Sequence, residues 1–387
     1  MSTTLGGDSY RLPAEHEDLR ALIRQIAEER IRPRAAAIDA EGEYPHDVRR
    51  LLAGNDILAL PFDPQYGGTG TGTLMLQVAV EEIARACASS ALILMVQELG
   101  TLPIALFGSD EMKERFLPRC ATGEWSPAFC LSEAEAGSNA AAMRTRAVRD
   151  GDEWVLNGAK NWITNAGVAD FYVVFAQTDR ENARVTAFVV EAETPGFSVG
   201  GYEHKLGIRG SPTGSPVFED VRLPTENVIG EVDRGMRVAL ATLERTRLGA
   251  AAQAVGIAQG ATDYANGYAA ERIAFGKPIN ELQGLQFKLA DMETGTAASR
   301  ALLYQACAMA DRPERPPDLG KWTSMAKLFA SDNAMRVTVE AVQVLGGYGY
   351  VTDYPVERMM RDAKITQIYE GTNEVQRVII AKHMRSG

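Results

Sequence analysis

The spacing of hydrophobic residues changes twice along the chain. Over residues 13–120 apolar positions recur at helical spacing, and the first helix repeats Leu19, Leu22 and Ile23 on one face. Near residue 125 this pattern gives way to short aromatic and β-branched runs, and after about residue 235 the helical spacing returns. We therefore predict an α+β protein with helices first, strands second and helices last, and place its domains at 1–124, 125–234 and 235–387.

The middle region has the pattern of a set of strands. Trp154–Leu156, Phe171–Phe175 and Thr186–Val190 are runs of aromatic and β-branched residues, and turn-forming pairs such as Asn157-Gly158 separate them. Because no helical pattern intervenes, neighbouring strands should pair mostly antiparallel. The pattern predicts a small barrel or sandwich.

The last region contains long helical patterns. They cover about Leu243–Tyr268, Gln283–Asp311 and Lys321–Leu345, and the first is rich in alanine and glycine, so that it can pack closely on its neighbours. The large apolar residues of the third pattern are expected to face inward, namely Met325, Phe329 and Val339.

A glycine-rich stretch separates two of the first helices. Gly67–Gly72 could suggest a phosphate-binding loop. It lacks the GxGxxG spacing, and no strand pattern precedes it. The stretch is therefore interpreted as a flexible connection.

Composition and charge exclude several classes of function. The chain has 387 residues, and 40 basic against 51 acidic residues give a net charge of −11. An acidic surface disfavours binding to nucleic acid and to anionic membranes, because both require positive charge. The longest apolar stretch, about Ala91–Val96, is too short to span a bilayer. We expect neither a nucleic-acid nor a membrane partner.

Cysteine and histidine positions argue against disulfides and metals. The four cysteines form no CxxC pair, and the four histidines form no HExxH or Cys/His cluster. The first residues lack the basic start and apolar core of an export signal. These features predict reduced thiols, no metal site and a cytoplasmic location.

Glu370 is the strongest candidate for acid–base chemistry. An apolar periodic stretch leads into it, and Gly371-Thr372-Asn373 bends the chain just after it. A carboxylate held at such a bend can be partly desolvated, which raises its pKa towards that of a working base. A solvated glutamate at a helix end is the ordinary alternative for any glutamate chosen at random.

Five segments in order resemble the acyl-CoA dehydrogenase family over almost the whole chain. They are Leu131–Asn139, Asn157–Asn165, Arg272–Lys277, Gln343–Tyr350 and Met360–Asn373. The resemblance implies an N-terminal α-helical domain, a middle antiparallel β-barrel domain and a C-terminal four-helix bundle. It also implies a homotetramer (or homodimer) that holds FAD between the domains and a neighbouring subunit.

The resemblance implies an activity for Glu370. In this family the matching carboxylate removes a proton next to the thioester carbonyl of an acyl-CoA, and hydride leaves the neighbouring carbon for flavin N5. The backbone N–H of the base and a ribityl hydroxyl hold the thioester oxygen. Electrons then pass to an electron-transfer flavoprotein. A carrier-protein-bound acyl substrate, an oxygen-using oxidase and a non-catalytic CoA-binding homologue are the alternatives.

The resemblance also assigns cofactor contacts. Trp162 and Thr164 match the pair that lies against the flavin ring, and Ser132 matches a contact to its pyrimidine edge. Arg272 and Phe275 match contacts supplied across the subunit interface, with Arg272 facing the pyrophosphate. The remaining positions that match flavin contacts are Ser138, Gln283, Gln343, Gly346, Gly347 and Thr372.

Substrate contacts follow from the same matches. They are Ser138, Glu244, Arg247, Tyr369 and Gly371. Some relatives place the base on the earlier helix, and that position here holds Thr246, with Glu244 two residues away and more plausible as a contact to the pantetheine arm. Arg247 either orients the active site or forms a structural ion pair. Ala91–Gln97, which resembles the floor of the acyl pocket, has no cation, so we expect an apolar pocket for a short to medium, straight or branched acyl chain.

Three positions depart from the family pattern. Asn139 stands where many members carry Asp, and Ala134 where many carry Pro; either could adjust the flavin loop without abolishing it. Pro216 falls where the family normally runs into a regular strand, and proline removes a donor from the ladder. We therefore expect irregular β geometry near Pro216.

Overall fold

The first region is helical throughout in the computed structural model, which describes residues 12–386. The N-terminal sequence on which the expectation about an export signal depends lies outside the described residues. The α-helices of this region are α1 (Ala14–Ile26), α2 (Ala35–Glu41), α3 (His46–Ala53), α4 (Gly72–Ala86), α5 (Ala88–Phe107) and α6 (Asp110–Ala121).

The middle region forms one branched sheet. Its path runs β4-β8-β3-β2-β5-β6-β9, with β1 added beside β5 and β7 beside β8. Most pairs are antiparallel, as predicted, but β1 and β2 both pair with β5 in parallel. The strands are β1 (Pro127–Cys130), β2 (Arg146–Asp150), β3 (Glu153–Ala159), β4 (Ile163–Thr164), β5 (Phe171–Asp179), β6 (Arg184–Glu191), β7 (Phe197–Tyr202), β8 (Thr213–Pro224) and β9 (Val228–Ile229).

Strand β5 is buried on both faces, which explains its unbroken hydrophobic sequence. Phe171 and Val173 point into a core shared with Phe116 of α6. Tyr172 and Val174 point to the opposite face and into the interior of the β domain. Successive side chains of a strand alternate between faces, so a strand with two covered faces is apolar at every position.

Strand β8 continues through Pro216, and the irregular geometry expected near that residue appears in its pairing with β7. The carbonyl of Pro216 accepts a hydrogen bond from the N–H of Lys160 (2.8 Å). Pro216 pairs with Val199 of β7, and the register shifts between this pair and the next one, which joins Tyr202 to Gly214. Proline has no N–H to donate to the neighbouring strand, and the register shift occurs where that hydrogen bond is missing. Strand β8 itself remains continuous.

The last region is a helical bundle. Its long helices α7, α8 and α9 pack against one another, and α10 and α11 pack on α9. A short hairpin of β10 (Ile273–Ala274) and β11 (Lys277–Pro278) follows α7. The predicted α+β fold class is confirmed. The helices are α7 (Gly235–Glu271), α8 (Gln283–Ala310), α9 (Leu319–Leu345), α10 (Val356–Thr366) and α11 (Asn373–Ser386).

The inward face of α9 differs from the prediction. Phe329 and Val339 are 45% and 46% exposed, and Met325 is only half-buried. Small and polar residues face the bundle instead, among them Ser324 and Ala330. Close packing on the alanine- and glycine-rich α7 admits only small side chains, so the large apolar residues of α9 turn outward.

Helix α5 forms the centre of the first region. Its 20 residues are long and apolar enough to cross a membrane by length and composition, but 72% of its most hydrophobic window is buried inside the protein. Gly100 packs directly on Pro127 of β1. The stretch Ala91–Val96 is therefore one part of a core helix that joins the helical and β regions.

The glycine-rich stretch before α4 is held in place rather than loosely connected. A Cβ at Gly68 would lie 1.8 Å from the carbonyl oxygen of Phe62, so only glycine fits there. The N–H groups of Thr73 and Leu74 donate to the carboxylate of Asp311 (2.7 and 3.0 Å). This carboxylate caps the start of α4 and ties it to the end of α8.

Candidate active site

Glu370 lies at a left-handed turn between α10 and α11. The N–H of Tyr369 still donates to the carbonyl of Ile365 (3.1 Å). Glu370 and Gly371 then take φ angles of +56° and +85°, which redirects the chain before α11. A glutamate in the left-handed region is strained because its Cβ crowds the backbone. The surrounding contacts must therefore hold this turn.

The Glu370 carboxylate faces α7. Thr246 donates its hydroxyl proton to Oε2 of Glu370 (3.0 Å), so the alternative base position of the family touches the carboxylate. Burial raises the pKa of Glu370, while the Thr246 hydrogen bond and the positive charges of Arg247 and Lys327 oppose the rise. A raised pKa is what the sequence led us to expect of a working base.

Arg247 is buried and contacts neutral groups. It donates to the carbonyl of Leu243 (2.8 Å), to the hydroxyl of Ser324 (2.7 Å) and to Oε1 of Gln376 (3.2 Å). Gln376 in turn donates to the carbonyl of Glu370 (3.1 Å). Burial lowers the pKa of Arg247, and the charge of Glu370 works against that. Arg247 thus reaches the Glu370 turn through Gln376.

Glu244 is held by another side chain. Its two carboxylate oxygens lie 2.6 and 2.7 Å from Nη2 of Arg315. This bidentate arrangement fixes the carboxylate at the edge of the bundle. A contact from Glu244 to the pantetheine arm stays a prediction.

A buried polar pair lies beneath the Glu370 region. Gln77 of α4 donates to Oε2 of Glu98 on α5 (3.2 Å). Burial, with a smaller contribution from the charge of Glu370, raises the pKa of Glu98 to about 7. A Cβ at Gly249 would lie 3.4 Å from Met95 and 3.6 Å from Gln77, so α7 approaches this pair closely. The sequence reasoning missed this pair, because it considered the segment Ala91–Gln97 and Glu98 is the residue after it.

A second polar contact lies beside Tyr369. Its hydroxyl donates to Oε1 of Gln253, and Nε2 of Gln253 donates to the carbonyl of Ala88 (2.9 Å). Gln253 lies seven residues after Thr246, so both occupy the same face of α7. Gln253 was missed by the sequence reasoning, although this spacing from the base region could have identified it.

Trp162 and Thr164 lie at the edge of the β domain. Trp162 has a φ of +65° and is 59% exposed, although large aromatic side chains are usually buried. Thr164 follows in β4 and pairs with Thr213 of β8. The carbonyl of Ser132 accepts from the N–H of Asn161 (3.0 Å), so the backbone brings Ser132 next to the Trp162 turn.

A buried ion pair supports this edge. Lys160 is fully buried, and its Nζ donates to Oε1 of Glu133 (2.7 Å) and to the carbonyl of Leu131 (3.2 Å). Glu133 also accepts from the N–H of Thr145 (3.0 Å). Burial lowers the pKa of Lys160, and the Glu133 carboxylate opposes this. The pair joins the Ser132 and Trp162 segments from below.

The loop after β7 connects this edge to the Glu370 helix. The N–H of Asn165 donates to the carbonyl of Pro212 (3.0 Å). A few residues earlier, the N–H of Ile208 donates to the buried carboxylate of Asp362 in α10 (2.5 Å). A Cβ at Gly207 would lie 2.5 Å from the backbone of Arg361, which requires glycine for this approach.

A separate cleft lies at the end of α9. It has a volume of about 460 Å³ and includes Arg272, Gly346 and Gly347 among its lining residues. The Arg272 guanidinium lies 5.5 Å from the ring centroid of Tyr348. Neither Trp162 nor Glu370 lines this cleft. One protomer therefore presents two distinct surfaces.

The remaining candidate positions are mostly at the surface. Phe275 is 92% exposed at the tip of the β10–β11 hairpin, and Gln283, Gln343 and Ser138 are exposed. Thr372 accepts from the N–H of Val375 (3.3 Å) and so caps α11.

These residues fit a flavin nucleotide. An isoalloxazine ring needs an apolar face, which the exposed Trp162 indole offers. A pyrophosphate needs a cationic donor in a space open to its oxygens, and the cleft lined by Arg272, Gly346 and Gly347 offers the guanidinium and that space. Together with the desolvated carboxylate of Glu370, they have the chemistry that a flavin-dependent oxidoreductase requires.

Comparison with known proteins identifies the family. Models of the N-terminal, middle and C-terminal domains of acyl-CoA dehydrogenases match residues 13–124, 128–221 and 233–385. A probable acyl-CoA dehydrogenase of Mycobacterium tuberculosis is 48% identical over 377 residues, covering 97% of this chain and 96% of the relative. The human mitochondrial short-chain specific acyl-CoA dehydrogenase is 44% identical over 379 residues, covering 97% and 91%.

A solved structure agrees with these matches. Butyryl-CoA dehydrogenase from Megasphaera elsdenii superposes with a TM-score of 0.94 at 41% identity, covering 97% of this chain and all of that one. The chain belongs to the acyl-CoA dehydrogenase family, whose members are FAD-dependent oxidoreductases that act on CH–CH groups. The predicted family, enzyme class and cofactor are confirmed.

Proposed function

We propose that the protein oxidises a short-chain saturated acyl-CoA to the trans-2-enoyl-CoA, with Glu370 as the base. The observation that carries the proposal is the Glu370 carboxylate itself. It sits on a strained turn, accepts one hydrogen bond from Thr246, and has a pKa that burial raises. A desolvated carboxylate with few donors is a stronger base than one in water.

Proton removal requires that the thioester oxygen also be bound. The proton next to a thioester carbonyl is weakly acidic, so the negative charge that develops on the oxygen must be stabilised. Within residues 12–386, the backbone N–H of Glu370 donates no hydrogen bond to the protein. This free donor beside the carboxylate supports its proposed role in holding the thioester oxygen. The carboxylate then takes the proton from the adjacent carbon.

Bound FAD would supply the acceptor for the hydride that leaves the next carbon. Trp162, Thr164, Ser132 and Ser138 would hold its ring and neighbouring groups. Across a subunit interface, Arg272, Phe275, Gln283, Gln343, Gly346, Gly347 and Thr372 would contact the nucleotide half. Tyr369, Gly371 and Arg247 would position the substrate near Glu370.

Two polar contacts near Glu370, which we call the floor, favour a short acyl chain as the substrate. The contact between Gln253 and Tyr369, together with the Gln77–Glu98 pair, places polar groups where a long hydrocarbon tail would need apolar surroundings. Two of the relatives described above carry "butyryl" and "short-chain specific" in their names, which supports the same substrate class. Neither polar contact contributes a cation for a second carboxylate on the substrate.

Electron acceptor, assembly and location complete the proposal. We propose a cytoplasmic homotetramer (or homodimer) that passes electrons to an electron-transfer flavoprotein. Several large apolar side chains are exposed on the last helical region, as expected for a surface that another subunit covers. They are Ile273, Phe275, Phe287, Phe329, Val339 and Tyr350.

Anaerobic titration tests the substrate and the chemistry. The purified flavoprotein is mixed with butyryl-, hexanoyl-, octanoyl- and isobutyryl-CoA while the flavin absorbance is followed. Bleaching is expected to be fastest with a short chain. Glu370→Gln is expected to retain flavin and lose bleaching. If no acyl-CoA bleaches the wild type, the proposal is wrong, and carrier-bound acyl groups are tested next.

A further inference from the structure

A buried amine on α9 lies next to the Glu370 turn. Lys327 is fully buried, and its Nζ donates to the carbonyl of Gly371 and to Oδ1 of Asn373, both at 2.9 Å. Among residues 12–386, no carboxylate lies within 4.0 Å of this Nζ. Buried ammonium groups are usually paired with a carboxylate, because desolvating a charge is costly. Lys327 is bound only to neutral groups.

The partners of Lys327 are fixed in turn. Asn373 donates to the hydroxyl of Ser331 (2.9 Å) and to a carboxylate oxygen of Asp332 (2.7 Å). Both belong to α9, one turn beyond Lys327. The start of α11 is therefore held against α9 by a chain of hydrogen bonds, and the Gly371 carbonyl is included in it.

Gln376 holds the other side of the same turn. Its amide donates to the carbonyl of Glu370 (3.1 Å) and to that of Gly371 (2.8 Å), while its oxygen accepts from Arg247 (3.2 Å). The Gly371 carbonyl thus accepts from two directions, from Lys327 and from Gln376, and the Glu370 carbonyl accepts from Gln376. We call Lys327, Gln376 and Arg247 the turn clamp.

Charge acts on the same site. The positive charge of Lys327 favours the ionised form of Glu370, in the same direction as Arg247. Burial lowers the pKa of Lys327 to about 7, and Glu370 opposes that shift. The other charged groups that influence this pair come from neighbouring segments: Asp332 on α9, Glu374 on α11 and Glu98 on α5.

We propose that Lys327 is a positioning residue for Glu370, with its ammonium holding the left-handed turn so that the carboxylate stays on Thr246, and with its charge favouring the ionised carboxylate. The inference rests on the proposed function of Glu370. Lys327 forms no bond to substrate and transfers no proton in the reaction. It acts through the Gly371 carbonyl and through its charge.

Lys327→Met tests the proposal, with Lys321→Met as the matched control on the same helix. Flavin reduction by butyryl-CoA is measured by anaerobic stopped flow from pH 6 to 9. We expect Lys327→Met to reduce flavin about 10- to 100-fold more slowly at pH 7, since small displacements of a catalytic group have effects of this size. The midpoint of the rate profile should move to higher pH by about one unit, because a positive charge near Glu370 is lost.

A purely structural role would not give this pattern. Lys327→Met is expected to keep its flavin and its affinity for acyl-CoA, so the change should appear in the reduction rate and not in binding. Lys327→Arg should restore the midpoint of the profile, since it restores the charge. A rate and a midpoint within twofold and 0.2 pH units of Lys321→Met would overturn the proposal, whatever the melting temperature.

Two further variants keep the outcome decisive. If Lys327→Met does not hold flavin, Lys327→Gln carries the test, because it retains a donor without the charge; an unshifted midpoint in that variant overturns the proposal. Glu370→Gln is measured in parallel. If it reduces flavin at the wild-type rate, the proposed base is wrong and this inference fails with it. If it is inactive while Lys327→Met behaves like the control, only the positioning role is wrong.

Discussion

The surroundings of Glu370 and those of Arg272 are built in opposite ways. Around Glu370, almost every polar group is buried and has a partner from the same chain, from Thr246 on α7 to Lys327 on α9. Around Arg272, the groups are exposed, and the main contact is an aromatic ring at 5.5 Å. The cleft beside Arg272 is open, with glycines in its wall.

This difference separates two tasks. A base must be desolvated and held in one orientation, which one chain achieves by burying it among its own helices. A cofactor must be able to enter, so its contacts remain accessible until it binds. Residues of the first group should therefore affect the rate of flavin reduction, and residues of the second group should affect flavin retention.

Shortening the base should give the largest effect. Glu370→Asp keeps the charge but withdraws the carboxylate by about one bond, so we expect flavin reduction by acyl-CoA to slow about 100-fold. Flavin content should stay at the wild-type level. Single-turnover stopped flow measures the rate, and Glu226→Asp, an exposed position in the β domain, is the control. A normal rate in Glu370→Asp would show that the carboxylate is not the base.

Replacing Arg272, the cationic side chain of the cleft, should weaken flavin binding and leave the rate of flavin reduction unchanged. Arg272→Met is expected to weaken flavin retention about 10- to 100-fold, since a hydrogen bond to a charged group contributes about 1.5–3 kcal/mol. The flavin that remains bound should be reduced at the normal rate. Dialysis against a flavin-free buffer measures retention, with Arg312→Met as an exposed control. Slow reduction of the flavin in a variant that retains all of its flavin would contradict this prediction, because Arg272 would then act on the reaction and not on cofactor binding.

The sequence predicted the residues of the recognised motifs better than it predicted the packing around them. Glu370 and Trp162 stand in motifs with particular residues around them, and the aromatic and β-branched run of β5 indicated the sheet. Phe329 and Val339 were placed wrongly, because a hydrophobic residue on a helix predicts burial but does not say what covers it. In this protomer they lie at the surface, and a neighbouring subunit would be needed to cover them.

Two members of the turn clamp were not predictable from motifs, although Arg247 was among the candidates. Lys327 and Gln376 lie 43 and 6 residues from Glu370, and each is an ordinary residue of an amphipathic helix. Only the approach of α11 to α9 brings the Lys327 amine to the Gly371 carbonyl, whereas Gln376 reaches that carbonyl from five residues along the chain. The polar pair Gln77–Glu98 was missed for the same reason, since it forms between α4 and α5. Long-range hydrogen bonds of this kind depend on the packing of whole helices.

Within the Glu370 region, the floor should control chain length and leave the chemistry intact. Gln253→Ala removes the partner of Tyr369 and opens space on α7, so longer acyl chains should fit better. We expect the ratio of kcat/KM for octanoyl-CoA to that for butyryl-CoA to rise about tenfold, since even one methylene group in a hydrophobic pocket changes kcat/KM by about 10- to 200-fold. Gln286→Ala, an exposed position on α8, should leave the ratio unchanged. An unaltered ratio in Gln253→Ala would place the acyl chain elsewhere.

The polar pair in the floor should affect stability and leave the rate of flavin reduction unchanged. Burial raises the pKa of Glu98 to about 7, from an ordinary value near 4.5. The folded protein therefore binds a proton that the unfolded chain releases between these pH values, and stability should fall as pH rises through that window. The total loss is at most about 3 kcal/mol.

Glu98→Gln removes this titration. The variant cannot ionise at this position, and its amide can donate to Oε1 of Gln77, which has no partner in the described part of the chain. The melting temperature of Glu98→Gln relative to wild type should therefore rise by a few degrees between pH 5 and pH 8. Glu226→Gln, at an exposed site, should follow the wild-type curve. Parallel curves for Glu98→Gln and wild type would mean that Glu98 is already ionised near pH 5 and that the floor is wetter than its burial indicates.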